Sequence, residues 1–123
     1  MKTILVAEDD KFLSNAYRIK LTKLGYTVVI VSDGDQVLKY LKGTLPDLIL
    51  LDLIMPIKDG FDTLKEIREQ QKCKKVPIII ASNLGQGEDV KRATELGATD
   101  YIIKSDLSLQ ELAEKISSYL GEK

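Results

Sequence analysis

Residues 48–56 read Leu-Ile-Leu-Leu-Asp-Leu-Ile-Met-Pro. An unbroken apolar run stops at one carboxylate, Asp52, and a loop holding Met55 and Pro56 follows. A short run without polar alternation suits a strand buried on both faces, and such strands belong to parallel sheets covered by helices. Similar runs recur at residues 3–7, 27–31, 77–81 and 101–103. Between them the apolar period lengthens to that of a helix. Phe12, Ala16 and Ile19 share one face, with Leu13, Tyr17 and Leu24 nearby; Val37, Leu38 and Leu41 share a second, and Leu64 and Ile67 a third. Val90, Ala93 and Leu96 form a fourth set, and Leu109, Leu112, Ile116 and Leu120 a fifth.

The punctuation fits. Gly25, Gly43, Gly97 and Gly121 each follow a helical stretch, where a left-handed residue closes the helix. Ser32 or Asp33 is expected to cap the second helix, and Ser105 or Asp106 the fifth. Strict strand–helix alternation predicts an α/β fold with a parallel sheet covered by helices on both faces; right-handed crossovers leave few strand orders, and five strands fit the doubly wound, flavodoxin-like order 2-1-3-4-5. Residues 1–123 are expected to form one domain, with no stretch left over for an output domain.

Composition narrows the chemistry. Eighteen basic and nineteen acidic side chains give a net charge of -1, so direct nucleic-acid binding is not expected. Apolar runs are too short to span a bilayer, and one cysteine, Cys73, suits a reducing, cytoplasmic setting. The chain has no histidine, which removes histidine bases, Ser-His-Asp triads and a phosphohistidine made on this chain. Carboxylates, hydroxyls, lysine and a hard cation remain.

In a sheet of this order ligands bind beyond the carboxyl ends of the strands, where the order reverses. Strand one ends in Glu8-Asp9-Asp10, strand three in Asp52, strand four in Ser82 and strand five in Lys104. Strands one and three are neighbours roughly 4.8 Å apart, so Glu8, Asp9 and Asp52 crowd together. Like charges at that range call for a cation, and Mg2+ takes oxygen ligands together with a phosphate. Asp52 is the candidate nucleophile, since a carboxylate forms an aspartyl phosphate; Lys104 and Ser82 would contact its oxygens. Singly, each group has an ordinary reading: acids at a helix start, a turn aspartate, a backbone-bonded serine, a solvated lysine, a half-buried Tyr101. Their convergence on one edge of one sheet favours the chemical reading.

The chain resembles the receiver domain of two-component response regulators over nearly its full length. The resemblance rests on Ile4-Leu5-Val6-Ala7-Glu8-Asp9-Asp10, on Asp52-Leu53-Ile54-Met55-Pro56 followed by Gly60, on Ser82, and on Gly97-Ala98-Thr99-Asp100-Tyr101 leading to Lys104. It implies that Asp52 accepts a phosphoryl group from a sensor histidine kinase or phosphotransfer protein. It implies direct Mg2+ ligation by Asp9, Asp52 and the backbone carbonyl of Ile54, with Glu8 acting through water. Lys104 would contact the phosphate, Ser82 would move toward it, and Tyr101 would swing inward with Ser82. A face made by the fourth helix, fifth strand and fifth helix would then bind a downstream protein, with the chain a monomer or a phosphorylation-dependent dimer. Such a chain is a signalling phosphoprotein that catalyses only its own phosphorylation and dephosphorylation.

Several residues depart from the family pattern. Ser105 replaces a proline that often follows a cis peptide; without proline the cis form costs about 3 kcal/mol, so a trans bond is expected. Glu8 replaces the more usual aspartate, and Asn83 a smaller residue. Gly85 and Gly87 loosen the start of the fourth helix. Ile54 and Leu84, at positions that influence water attack in this family, are apolar, so a slowly hydrolysing phosphoryl group is expected. The acidic loop disfavours a flavin phosphate, GxGxxG is absent, and Glu8-Asp9-Asp10 does not supply the DxD of dehalogenase-type phosphatases. The alternative is a phosphate-independent interaction module of the same fold.

Overall fold

A computed structural model describes residues 2–121. In chain order these form β1 (Thr3–Ala7), α1 (Lys11–Lys23), β2 (Thr27–Val31), α2 (Gly34–Gly43), β3 (Leu48–Leu51) and α3 (Gly60–Glu69). A short 3-10 turn (Gln71–Cys73), β4 (Ile78–Ser82), α4 (Gly87–Glu95), β5 (Asp100–Ile103) and α5 (Leu109–Tyr119) follow. The strands are all parallel, as the alternation predicts, and stand in the expected order β2-β1-β3-β4-β5.

Side-chain alternation in the strands divides the core in two. Leu5, Ile49, Leu51, Ile78 and Ile80 pack with Val37, Leu41, Leu64, Ile67 and Ala93, on the side of α2, α3 and α4. Ile4, Val6, Leu48, Leu50 and Ile79 pack with Tyr17, Leu21, Leu112 and Ile116, on the side of α1 and α5. Both faces of β1, β3 and β4 are therefore dry, which is why their sequences show no polar alternation. The helices are unequally anchored. Ala93 is the buried residue of α4, and the cap of that helix, Gln86, makes no side-chain capping bond.

Several local expectations are corrected. The buried stripe of α1 is Ser14, Tyr17 and Leu21; Phe12 and Ile19, placed on the core face by periodicity, are 86% and 50% exposed. The apolar pattern was out of phase because a serine takes one inward seat. The cap of α5 is Ser108, not Ser105 or Asp106: its hydroxyl accepts from Glu111 N–H while Glu111 accepts from Ser108 N–H. Asp106 N–H instead donates to Ile103 carbonyl at 2.9 Å, a turn that delays the helix. Gly43 does not close α2 left-handed; it ends the helix, and the chain leaves through extended Thr44. Gly25, Gly97 and Gly121 do have positive φ. Asp33 caps α2, accepting from Gln36 N–H at 2.9 Å. Strand β4 ends one residue later than expected, at Ser82, and β5 begins one earlier, at Asp100.

Arg68 fastens the loops at the far end. Its guanidinium donates to the carbonyls of Gly97 (2.9 Å), Cys73 (2.8 Å) and Val76 (2.7 Å) and to Thr99 Oγ1 (3.2 Å). Among the described residues no helix is long and apolar enough to cross a membrane.

Candidate functional site

Ladder register fixes the site. Ala7 pairs with Leu51, so the next residues, Glu8 and Asp52, leave the sheet side by side. Asp52 N–H donates to Ala7 carbonyl at 3.1 Å, and Glu8 N–H to Val31 carbonyl at 3.0 Å. Both side chains are buried, at 3% and 5% exposure, whereas Asp9 and Asp10 face solvent. Asp10 caps α1 through Leu13 N–H, which leaves Asp9 free of the capping role.

Lys104 enters from β5. Its N–H donates to Ser82 carbonyl at 3.0 Å, and its ammonium lies 2.6 Å from Glu8 Oε1 and 2.9 Å from Asp52 Oδ2. The expected lysine thus neutralises two acids at once. The remaining oxygens have backbone donors: Glu8 Oε2 accepts from Asp10 N–H (3.2 Å) and Asp52 Oδ1 from Ile54 N–H (3.2 Å). The Lys104–Ser105 peptide is trans.

Carboxylate oxygens of Glu8, Asp9 and Asp52 all lie within 4.8 Å of one another. Three carboxylates facing one ammonium leave negative charge uncompensated, and an all-oxygen donor set suits a hard divalent cation such as Mg2+. Burial, with Asp52's charge adding to it, pushes the Glu8 carboxyl up to about 7, against the pull of Lys104. Burial alone would lower the Lys104 ammonium, but its bonds to Glu8 and Asp52 outweigh that and raise it.

These groups line a crevice of about 300 Å3 together with Ile54, Ser82 and Asn83. Ser82 is fully buried, and its hydroxyl accepts from Leu84 N–H at 3.3 Å. Half-buried Tyr101 donates its hydroxyl to the carbonyl of the same Leu84. Leu84 therefore joins the two residues expected to move together. Sequence reading could not find this role, since Leu84 acts through its peptide groups and any residue type offers those. Ile54 exposes 58% of its surface at the mouth.

The loop after Asp52 is tightly set. Gly60 N–H donates to Leu53 carbonyl at 2.9 Å, and a Cβ on Gly60 would stand 2.3 Å from Asp52 O and 2.5 Å from Leu53 Cα. Before it, Lys58 N–H donates to Pro56 carbonyl at 2.7 Å, around Ile57 at φ 70°. This is a γ-turn of the strained hand.

The family model described as the response regulator receiver domain matches residues 4–117. The chain is 36% identical over 117 residues to a probable transcriptional regulator, ycf27, of Guillardia theta, covering 95% of this chain and 44% of that protein. The chain spans about half the length of the curated relatives it matches. Among solved structures, a putative response regulator from Chloroflexus aurantiacus superimposes with a TM-score of 0.90 at 27% identity, covering 98% of both chains. The BeF3-activated receiver domain of Klebsiella pneumoniae RstA gives 0.87 at 29% identity, covering 96% of this chain and 97% of that one.

Proposed function

The chain belongs to the response regulator receiver domain family, and we propose that within it Asp52 accepts a phosphoryl group from a sensor histidine kinase or phosphotransfer protein. The observation that carries this reading is the double contact of Lys104 with Glu8 and Asp52, in a crevice where Asp9 brings a third carboxylate. The similar RstA domain is BeF3-activated, which supports it.

The chain holds no histidine, so the phosphohistidine comes from the partner. An Asp52 carboxylate oxygen attacks phosphorus, the P–N bond to the donor imidazole breaks, and an acyl phosphate forms. Asp9, Asp52 and the backbone carbonyl of Ile54 would hold Mg2+, with Glu8 reaching the ion through water. When bound, Mg2+ neutralises charge on the phosphoryl oxygens. Lys104 turns from the Asp52 carboxylate toward the phosphoryl group, remaining close by on its Glu8 contact. Ser82, released from Leu84, approaches another oxygen, and Tyr101 follows. The altered α4-β5-α5 face then binds a downstream protein, in a cytoplasmic pathway. The chain's only catalysis is its own phosphorylation and dephosphorylation. A net charge of -1 gives this chain no electrostatic attraction for nucleic acid.

Intact mass after incubation with acetyl phosphate and Mg2+, beside Asp52→Asn, tests the reading. The wild type gains one phosphoryl group, EDTA abolishes the gain, and the variant gains none. No adduct, with no spectral response to beryllofluoride, replaces this reading with the phosphate-independent interaction module.

A further inference from the structure

Helix α4 is held at one end. The caps of α1, α2, α3 and α5 each accept a backbone N–H on a side chain; Gln86, the cap of α4, does not. Residues 85–88 are exposed, and a Cβ on Gly87 would meet nothing within 4 Å. What holds the helix lies in its second half and just after it. Ala93 is buried, Leu96 and Ala98 pack against the core on that side of the sheet, and the Arg92 guanidinium stands 4.0 Å from the centroid of the Phe61 ring. Beyond the helix end, Arg68 donates to Gly97 carbonyl and Thr99 Oγ1. It packs so closely that a Cβ on Gly97 would stand 2.8 Å from Arg68 Cγ. Thr99 is tied to β4 in turn: its N–H donates to Ile78 carbonyl at 2.8 Å, and its hydroxyl accepts from Ile78 N–H at 2.9 Å.

We infer that α4 is a lever with Arg68 as its pivot: the N-terminal end swings while Gly97 stays in place. The helix length sets the scale. Gly87 and Gly97 stand about 15 Å apart along a helix axis, so a turn of about 10° carries Gly87 by about 2.5 Å. Gly85 and Gly87 give the connection to Leu84 the backbone freedom to follow. Leu84 is where Ser82 and Tyr101 attach, so a shift at either acts on the free end of the lever. The surface that changes is then the start of α4, with exposed Glu88 and Lys91, and not its end. This asymmetry belongs to the fold and does not depend on the phosphotransfer reading.

Pulsed electron resonance on spin-labelled full chain tests this. Glu88→Cys or Glu95→Cys is paired with Lys39→Cys on α2; all three positions are exposed, and native Cys73 is buried away from the label. The distance distribution to residue 88 is expected to be the broader, since residue 88 stands about 4.5 times as far from Gly97 along the helix as residue 95 does. Arg68→Met removes the pivot and should broaden the distribution to residue 95 until it matches that to residue 88. A control pair across α2 and α3, Lys39→Cys with Lys65→Cys, keeps its width. Equal widths for residues 88 and 95 with Arg68 in place overturn the inference. So does a residue 95 distribution that Arg68→Met leaves unchanged, or one that broadens together with the control pair, which would make Arg68 a general clamp. The first comparison decides alone if Arg68→Met does not fold. No phosphoryl donor or beryllofluoride enters the measurement, so its outcome is separate from that of Asp52 labelling.

Discussion

Ser82 and Tyr101 hold opposite ends of one residue: Leu84 donates its N–H to the Ser82 hydroxyl and accepts the Tyr101 hydroxyl on its carbonyl. A displacement of either is therefore felt by the other through one residue, whose N–H and carbonyl belong to successive peptide units. Ser82→Ala and Tyr101→Phe should not be additive. A double-mutant cycle by chemical denaturation is expected to return a coupling of about 0.5–1 kcal/mol. Additivity within about 0.3 kcal/mol would show that Leu84 transmits nothing.

Replacing Ile57 should stabilise the protein. A β-branched residue at φ 70° is strained, and 78% exposure means little packing is lost when the side chain goes. Ile57→Gly is expected to raise unfolding free energy by about 1 kcal/mol, after the flexibility of glycine offsets part of the relief. An unchanged or lower denaturation midpoint would contradict this account of the turn.

Gly60→Ala should do the reverse. The added methyl meets the backbone of Asp52 and Leu53, which cannot yield as a flexible side chain would. A loss of about 2 kcal/mol is expected, in the range of overpacked sites. Acetyl phosphate labelling of the still-folded fraction should slow as well, because the displaced backbone carries Asp52.

Asp100 gives an acid limb to stability. Burial works against its charge, but bonds from Tyr119 hydroxyl (2.8 Å), Lys115 ammonium (3.0 Å) and Tyr101 N–H (2.8 Å) together hold its carboxyl below the usual range. A lowered carboxyl stabilises the fold above its unfolded pKa of about 4 and loses that contribution as pH falls through the lower folded value. Wild type should therefore lose more stability than Asp100→Asn below about pH 4. Parallel curves of unfolding free energy against pH for the two proteins would contradict the assignment.

Hydrolysis of the proposed acyl phosphate should be slow, and polar groups at two positions should hasten it. Ile54 stands at the mouth of the crevice and Leu84 is half-buried beside Ser82; neither side chain can orient water. Ile54→Asn with Leu84→Glu is expected to accelerate loss of phosphate by about tenfold, within the usual range for positioned polar groups. Equal decay of the phosphorylated mass peak in variant and wild type would contradict this.

The parallel strands and the groups at their ends were legible because strands buried on both faces write continuous apolar runs, and the residue after each run must emerge at one edge; the runs themselves do not set the strand order, which was expected only as one that suits five such strands. Glu8, Asp9, Asp52, Ser82 and Lys104 were placed at that edge this way. The phase of α1 was not legible: Ser14 faces inward while Phe12 points to solvent, so counting apolar residues selected the wrong stripe. The Ser108–Glu111 capping box did have a local signal, Ser-x-x-Glu, obscured by nearer candidates at 105 and 106. Arg68 and Leu84 were beyond reach because their partners are carbonyls and amides brought close only by folding.

Helix α4, with Ala93 as its buried residue and no side-chain bond at its cap, is held to the sheet by much less apolar burial than its neighbours. Detaching a unit of that kind requires far less free energy than melting β1, β3 and β4. The molecule therefore has two thresholds. Hydrogen exchange will show the amides of α4 opening at a free energy well below that of the central strands. Under the proposed switching, a displacement of Ser82 would need to supply only the smaller of these two free energies to shift this one helix.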